Sequence, residues 1–215
     1  MPENEFIYVF DPLCGWCYGF DQHLLRLHKK FGSDMPFTVF SGGMVVDQNV
    51  VSIAESSEYI RKAIPDVEEA TSVKFGQGFY DLMDKGTYRY DSEPPSRALK
   101  VFKRLGDRTK SLQFAARIQT MLFKEGKDLN DVETYLDDAH ELGVDRDEFL
   151  AFFEEENMKR KTREEFEFTR SLGVRGYPTL ILRTGDTGSV LSRGFLPFRE
   201  LVRAVETVFA NTKDN

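Results

Sequence analysis

Residues 11–19 read Asp11-Pro12-Leu13-Cys14-Gly15-Trp16-Cys17-Tyr18-Gly19 and contain both cysteines of the chain. A thiolate attacks a disulfide sulfur, and a second sulfur one helical turn along can expel the bound partner, so this spacing supplies a complete two-electron couple. Cys-x-x-Cys is also half of a zinc site, and free cysteine packs as a small hydrophobe, so the flanking sequence has to decide. Upstream, Phe6-Ile7-Tyr8-Val9-Phe10 is a β-branched and aromatic run ended by Asp11-Pro12, the pattern of a buried strand. Downstream, Phe20, Leu24, Leu27 and Phe31 recur at helical spacing until Gly32. Phe37 to Phe40 reads as a second strand, followed by Ser41-Gly42-Gly43, where glycines permit a turn or a close backbone approach. The cysteines therefore sit at a strand-to-helix junction in the opening of a parallel sheet. Zinc usually takes four ligands, and only His23, His28 and His140 remain as soft partners. His23 and His28 fall deeper along the predicted helix than the sulfurs and read as packing or surface residues.

From Met44 to Lys159 the strand signals fade. A polar helix is expected over Ser52 to Lys62, stopping before Pro65, and Gly76, Gly78 and Gly86 break up a segment whose Phe75, Phe79, Tyr80, Tyr88 and Tyr90 read as core. Apolar stripes then mark four helices: Ala98 to Leu105, Leu112 to Leu122, Val132 to Ala139 and Phe149 to Phe153. Ser96 and Arg97 lie near a helix start, where serine reads as a cap. Beyond this helical insertion, Arg163 to Leu172 is an amphipathic helix closed by Gly173. Pro178 to Leu182 and Val190 to Ser192 form a hairpin around Gly185-Asp186-Thr187-Gly188, and Pro197 opens a last helix with Leu201, Val205 and Val208 inward.

A chain of 215 residues can bury a core without disulfide staples. A net charge of -7 opposes nonspecific binding to nucleic acid or anionic membrane. No stretch approaches the ~18 to 20 apolar residues of a membrane span. Met1 to Glu5 and the following short apolar run do not make a secretory signal, and Lys213-Asp214-Asn215 matches no anchoring or retention signal. With Met1 as the natural start, the expected compartment is the cytoplasm, where a lasting structural disulfide is unusual and a catalytic or metal-binding pair is favoured.

Without the insertion the order is strand, helix, strand, helix, strand, strand, helix. The chain resembles the DsbA family of thioredoxin-fold thiol-disulfide oxidoreductases, in particular its cytoplasmic, protein-disulfide-isomerase-like branch. Three features carry the resemblance: Cys14-Gly15-Trp16-Cys17 at the first strand-to-helix junction, the helical insertion after the second strand, and Gly173-Val174-Arg175-Gly176-Tyr177-Pro178-Thr179 before the hairpin. Ser92-Glu93-Pro94-Pro95-Ser96-Arg97-Ala98 adds to it within the insertion. The resemblance implies an α/β, thioredoxin-like fold with an inserted all-helical domain, residues 1–43 and 160–215 forming the first part and 44–159 the second. It implies Cys14 as nucleophile, Cys17 as resolving thiol and Pro178 as a cis proline beside them. The backbone of Tyr177 and Gly176 would meet the substrate, and Trp16, by its place between the sulfurs, reads as a substrate contact rather than a lid on the site.

Cys14 at a helix N-terminus suits the attacking role because free N–H groups and the macrodipole favour its thiolate. Trp16 stands where the secreted, strongly oxidising members carry histidine, so a milder potential is expected. Asp11 is a candidate for tuning Cys14, although Asp-Pro is also ordinary turn chemistry. No bound cofactor is expected. The electron partner is glutathione or another thiol, and the substrate a protein or small-molecule disulfide. Two alternatives remain: a glutathione-using transferase or isomerase of the kappa or hydroxychromene-carboxylate isomerase type, whose members typically carry serine at the first cysteine position, and a redox-sensing protein-binding adaptor.

Overall fold

The computed structural model describes residues 4–213; Met1 and Asp214-Asn215, used above in reading the termini, lie outside them. Strand β1 (Asn4–Phe10) leads into helix α1 (Gly15–Phe31) and strand β2 (Phe37–Ser41). There follow β3 (Val51–Ser52), α2 (Ile53–Thr71), α3 (Gln77–Lys85), β4 (Arg89–Tyr90), α4 (Glu93–Leu105), α5 (Ser111–Phe123), α6 (Glu133–Glu141), α7 (Arg146–Glu154) and α8 (Glu156–Ser171). The chain then forms β5 (Thr179–Thr184), β6 (Thr187–Arg193) and α9 (Phe198–Lys213). The sheet order is β2-β1-β5-β6; β2 runs parallel to β1, and β5 and β6 are antiparallel to their neighbours. As an inner strand β1 is covered on both faces, and Phe6, Tyr8, Val9 and Phe10 are all buried, as its unbroken apolar run requires. α1 packs against α2, α5 and α9, while α5 and α8 lie against β2. Buried side chains of the sheet and of the helices form one continuous apolar cluster.

The structure departs from the sequence expectations where packing overrides local signals. α2 continues through Pro65 to Thr71. An interior proline costs about 3 kcal/mol, but Ile64 and Val67, either side of it, are buried, and each contributes roughly 1.5–3 kcal/mol. α3 forms inside the segment that glycines seemed to break. Gly76 and Gly78 serve a close approach instead, because a Cβ on either would sit within 2.3 Å of the Lys124 or Glu125 carbonyl oxygen. Ser96 lies inside α4 and donates to the Ser92 carbonyl at 2.6 Å; Pro94 and Pro95 occupy the first turn, which they suit, so the helix starts earlier. α8 also starts earlier than expected, on a buried stripe of Met158, Thr162, Glu165, Phe166 and Thr169 whose polar members hid the periodicity. The hairpin turn tightens to Gly185-Asp186, with Gly185 at φ +57° and Thr187 and Gly188 already in β6.

Candidate active site

The sheet register brings the two distant sequence features together. Val9, near the end of β1, pairs with Thr179, the first residue of antiparallel β5. The residues that leave β1 and those that enter β5 therefore meet at one edge. Cys14 is the N-cap of α1, and its carbonyl accepts the Cys17 and Tyr18 N–H groups at 3.0 and 3.1 Å. Its thiol points at Tyr177, donating to that carbonyl at 3.6 Å across 163 residues of sequence. The Tyr177–Pro178 peptide is cis. Cys17 is wholly buried one turn in, and both cysteines are free thiols. Burial pushes the Cys17 thiol well above the ordinary range, and its hydrogen bond to Cys14 adds to this. Trp16 is half-buried, its ring 6.5 Å from that of Phe195. Gly176 is exposed, and its carbonyl accepts the Thr179 hydroxyl at 2.8 Å.

Asp11, a candidate from the sequence, holds this loop together with groups that the sequence did not assign to it, Ser92 and Gln119 among them. Asp11 is fully buried; its carboxylate accepts from the Leu13 N–H at 2.9 Å, the Met44 N–H at 2.6 Å and the Ser92 hydroxyl at 2.9 Å. Burial raises its pKa to about 6 against the pull of those donors. One side chain thus ties the cysteine loop to the segment after β2 and to the start of α4. From α5, Gln119 donates its side-chain amide to the carbonyls of Asp11 at 3.3 Å and Cys14 at 3.1 Å. Tyr90 donates to the Leu13 carbonyl at 2.6 Å. Gln119 lies in an apolar helical stripe and Tyr90 in the glycine-broken segment that reads as core, both far along the chain, where sequence gives no hint of a polar task. Gly42 lets the Tyr177 ring lie on the backbone: a Cβ there would come within 2.0 Å of the ring, and the Tyr177 hydroxyl donates to the Gly42 carbonyl at 2.8 Å.

Beneath the sulfurs Asp21, one turn beyond Cys17 in α1, is buried, and neither carboxylate oxygen has a hydrogen-bond partner among the described residues. Burial, and then the neighbouring Cys14 sulfur, push its pKa well up. Its place on the helix face shared with Cys17 and Leu24 was the available sequence signal. Arg97 stays away from the site, buried in an ion pair with Glu93 at 3.2 Å and lying over the Phe153 ring at 4.0 Å. His23 accepts the Phe198 N–H at 2.9 Å and so positions α9.

Beside Cys14 opens a cavity of about 410 Å3 between the cysteine loop, the segment after β2 and α2. Tyr59, Ile60, Ile64, Phe75 and Tyr90 are among its walls, and among the described residues no Asp, Glu, Lys, Arg or His lines it. Phe75 and Tyr90, expected simply as core, therefore also face this space. It lies within the size range of small-molecule sites.

No curated protein matches the chain. Solved structures do. A "putative protein disulfide isomerase" from Nitrosomonas europaea is 21% identical, with 97% of this chain and 98% of that chain covered and a TM-score of 0.82. The cytosolic disulfide reductase DsbM from Pseudomonas aeruginosa is 25% identical over the same shares, with a TM-score of 0.77, and has also been solved with GSH. A 2-hydroxychromene-2-carboxylate isomerase is more distant, at 16% identity and a TM-score of 0.61, covering 98% of this chain and 97% of its own. The thioredoxin family model matches residues 6–189, from within β1 into β6, and the chain accordingly belongs to the thioredoxin family, with the inserted-helix architecture of DsbA-like structures.

Proposed function

We propose that the protein is a cytoplasmic thiol-disulfide oxidoreductase with Cys14 as nucleophile and Cys17 as resolving thiol. The observation that carries this reading is the asymmetry of the pair. Cys14 caps α1 at the edge of a cavity and meets the Tyr177 carbonyl, while Cys17 is wholly enclosed and held as a thiol. The Cys14 thiolate attacks one sulfur of a substrate disulfide; that S–S bond breaks, and the departing sulfur takes up a proton. Cys17 then loses its proton and attacks the Cys14 sulfur. The mixed disulfide breaks, the second substrate thiol leaves, and a Cys14–Cys17 disulfide remains for an external thiol to reduce. Trp16 and the backbone of Gly176 and Tyr177, beside cis Pro178, form the rim on which a substrate strand would rest. Asp11 fixes the loop that carries the nucleophile.

The uncharged cavity favours a disulfide flanked by apolar groups. Glutathione is the alternative electron partner, supported by the P. aeruginosa DsbM structure with GSH. The name of that relative, a cytosolic reductase, favours a reductase in a reducing compartment.

Dithiol-driven reduction of insulin and of a glutathionylated peptide tests the proposal. Wild type should turn over, Cys14→Ser should be inactive, and Cys17→Ala should accumulate a mixed disulfide through Cys14. Full activity in Cys14→Ser overturns it. Partner capture that changes with redox state, without turnover, would favour an adaptor instead.

A further inference from the structure

A second cavity of about 400 Å3 shares no lining residue with the one beside Cys14. It lies between β2, the edge strand of the sheet, and helices α4 and α8. Phe37, Val39 and Met158 give it a buried apolar floor. Its walls carry five cations, Lys100, Lys103, Arg104, Arg108 and Lys161, against the single carboxylate of Glu165. That is a local surplus of positive charge in a chain whose net charge is -7. Positions 100, 103 and 104 share one face of α4, and 161 and 165 one face of α8, so the helix period aims both sets at the same space.

The one carboxylate is already committed. Glu165, 4% exposed, accepts Lys100 at 2.6 Å and Lys103 at 3.2 Å on one oxygen and the Ser41 N–H at 2.9 Å on the other. Two ammonium groups thus share one negative charge. Lys103 also donates to the Val39 carbonyl at 2.6 Å and is buried deeply enough that desolvation lowers its pKa. Among the described residues no carboxylate forms an ion pair with Arg104, Arg108 or Lys161. The carbonyl end of α4 attracts Lys103 and Arg104, but it does not account for Lys100 a turn earlier or for Lys161 in α8. Arg104 and Arg108 are exposed and Lys161 half-buried, so unpaired positive charge stands at the mouth of the cavity above the desolvated Lys103, and an anion entering there would be attracted by it. The apolar floor asks for more than a bare inorganic ion.

We propose that this cavity binds a small amphiphilic anion, with an aromatic or aliphatic body against Phe37, Val39 and Met158 and a carboxylate, phosphate or sulfonate head among Lys100, Arg104 and Lys161. The site is separate from the thiol chemistry and does not depend on it.

Calorimetric titration of the full reduced chain with 1-naphthyl phosphate tests this, with 1-naphthol and inorganic phosphate as the two half-ligands. One saturable site is expected, at least tenfold tighter than for either half. Arg104→Glu/Lys161→Glu, both at the open side, should weaken binding at least tenfold, with circular dichroism and insulin reduction unchanged. Ile60→Glu, in the cavity beside Cys14, should leave the affinity for 1-naphthyl phosphate as it was. The proposal is overturned by the absence of saturable binding, by equal affinity in the charge-reversed protein, by 1-naphthol binding as tightly, or by loss of binding in Ile60→Glu.

Discussion

Asp21 is a carboxyl group enclosed beneath the sulfurs with no donor to either oxygen among the described residues, and replacing it by asparagine should make stability respond to pH in a calculable way. In the unfolded chain an aspartate ionises near ~3.9. In the folded protein burial, then the Cys14 sulfur, hold Asp21 protonated well above that. Between the two values the folded state binds one proton more than the unfolded state. Stability therefore falls as pH rises, by about 1.4 kcal/mol per pH unit. Asp21→Asn keeps the shape and has no proton to lose. Its stability relative to wild type should thus improve with pH, by about 1.4 kcal/mol for each pH unit over which Asp21 stays protonated in the fold. Asp11, raised to about 6, titrates in both proteins, so its contribution cancels in the difference. Urea unfolding of the two proteins in parallel at pH 5, 6 and 7, with the thiols kept reduced, measures this. For a chain of this size each kcal/mol also moves Tm by about 2–4 °C. A gap that stays constant within about 0.5 kcal/mol across that range would refute the reasoning, because the carboxyl group would then be ionising as freely as in water.

Gln119→Leu removes the amide that spans the Asp11 and Cys14 carbonyls and should cost about 1–3 kcal/mol in urea unfolding, with a lower kcat for insulin reduction as the nucleophile's loop loosens. Gly42→Ala places a methyl where the Tyr177 ring lies, at 2.0 Å; a loss of about 1–3 kcal/mol is expected, and Gly42→Ala/Tyr177→Ala should recover part of it by removing the clash. Arg97→Met leaves Glu93 unpaired where both side chains are nearly enclosed and should cost about 3–5 kcal/mol, whereas Arg97→Met/Glu93→Leu should lie much closer to wild type.

Much of the fold was legible because it rests on local periodicity. The unbroken apolar run of Phe6 to Phe10 reads as a buried strand, and the spacing of Phe20, Leu24 and Leu27 as the buried face of α1. The α/β class, the thioredoxin-like order of elements and the resemblance to DsbA-like proteins follow from these and from the two motifs at either end. Local signals failed where tertiary contacts outweigh them. Pro65 does not end α2, and Gly76 and Gly78 do not prevent α3, because burial and close backbone approach repay what propensity loses. Ser96 reads as a cap only while the prolines before it are not counted as the helix's first turn.

The sequence by itself determined that a redox-spaced cysteine pair begins a helix after a buried strand, since each of those signals spans a few residues. The tertiary structure alone decided what surrounds the pair. Antiparallel pairing of Val9 with Thr179 carries the Tyr177 carbonyl to Cys14, and helix packing delivers Gln119, Tyr90 and Ser92 to the same loop. It also decided that the space beside Cys14 is uncharged while the one against β2 is basic. The reason is that a register and a helix crossing are properties of two distant segments together, and no window of sequence contains both.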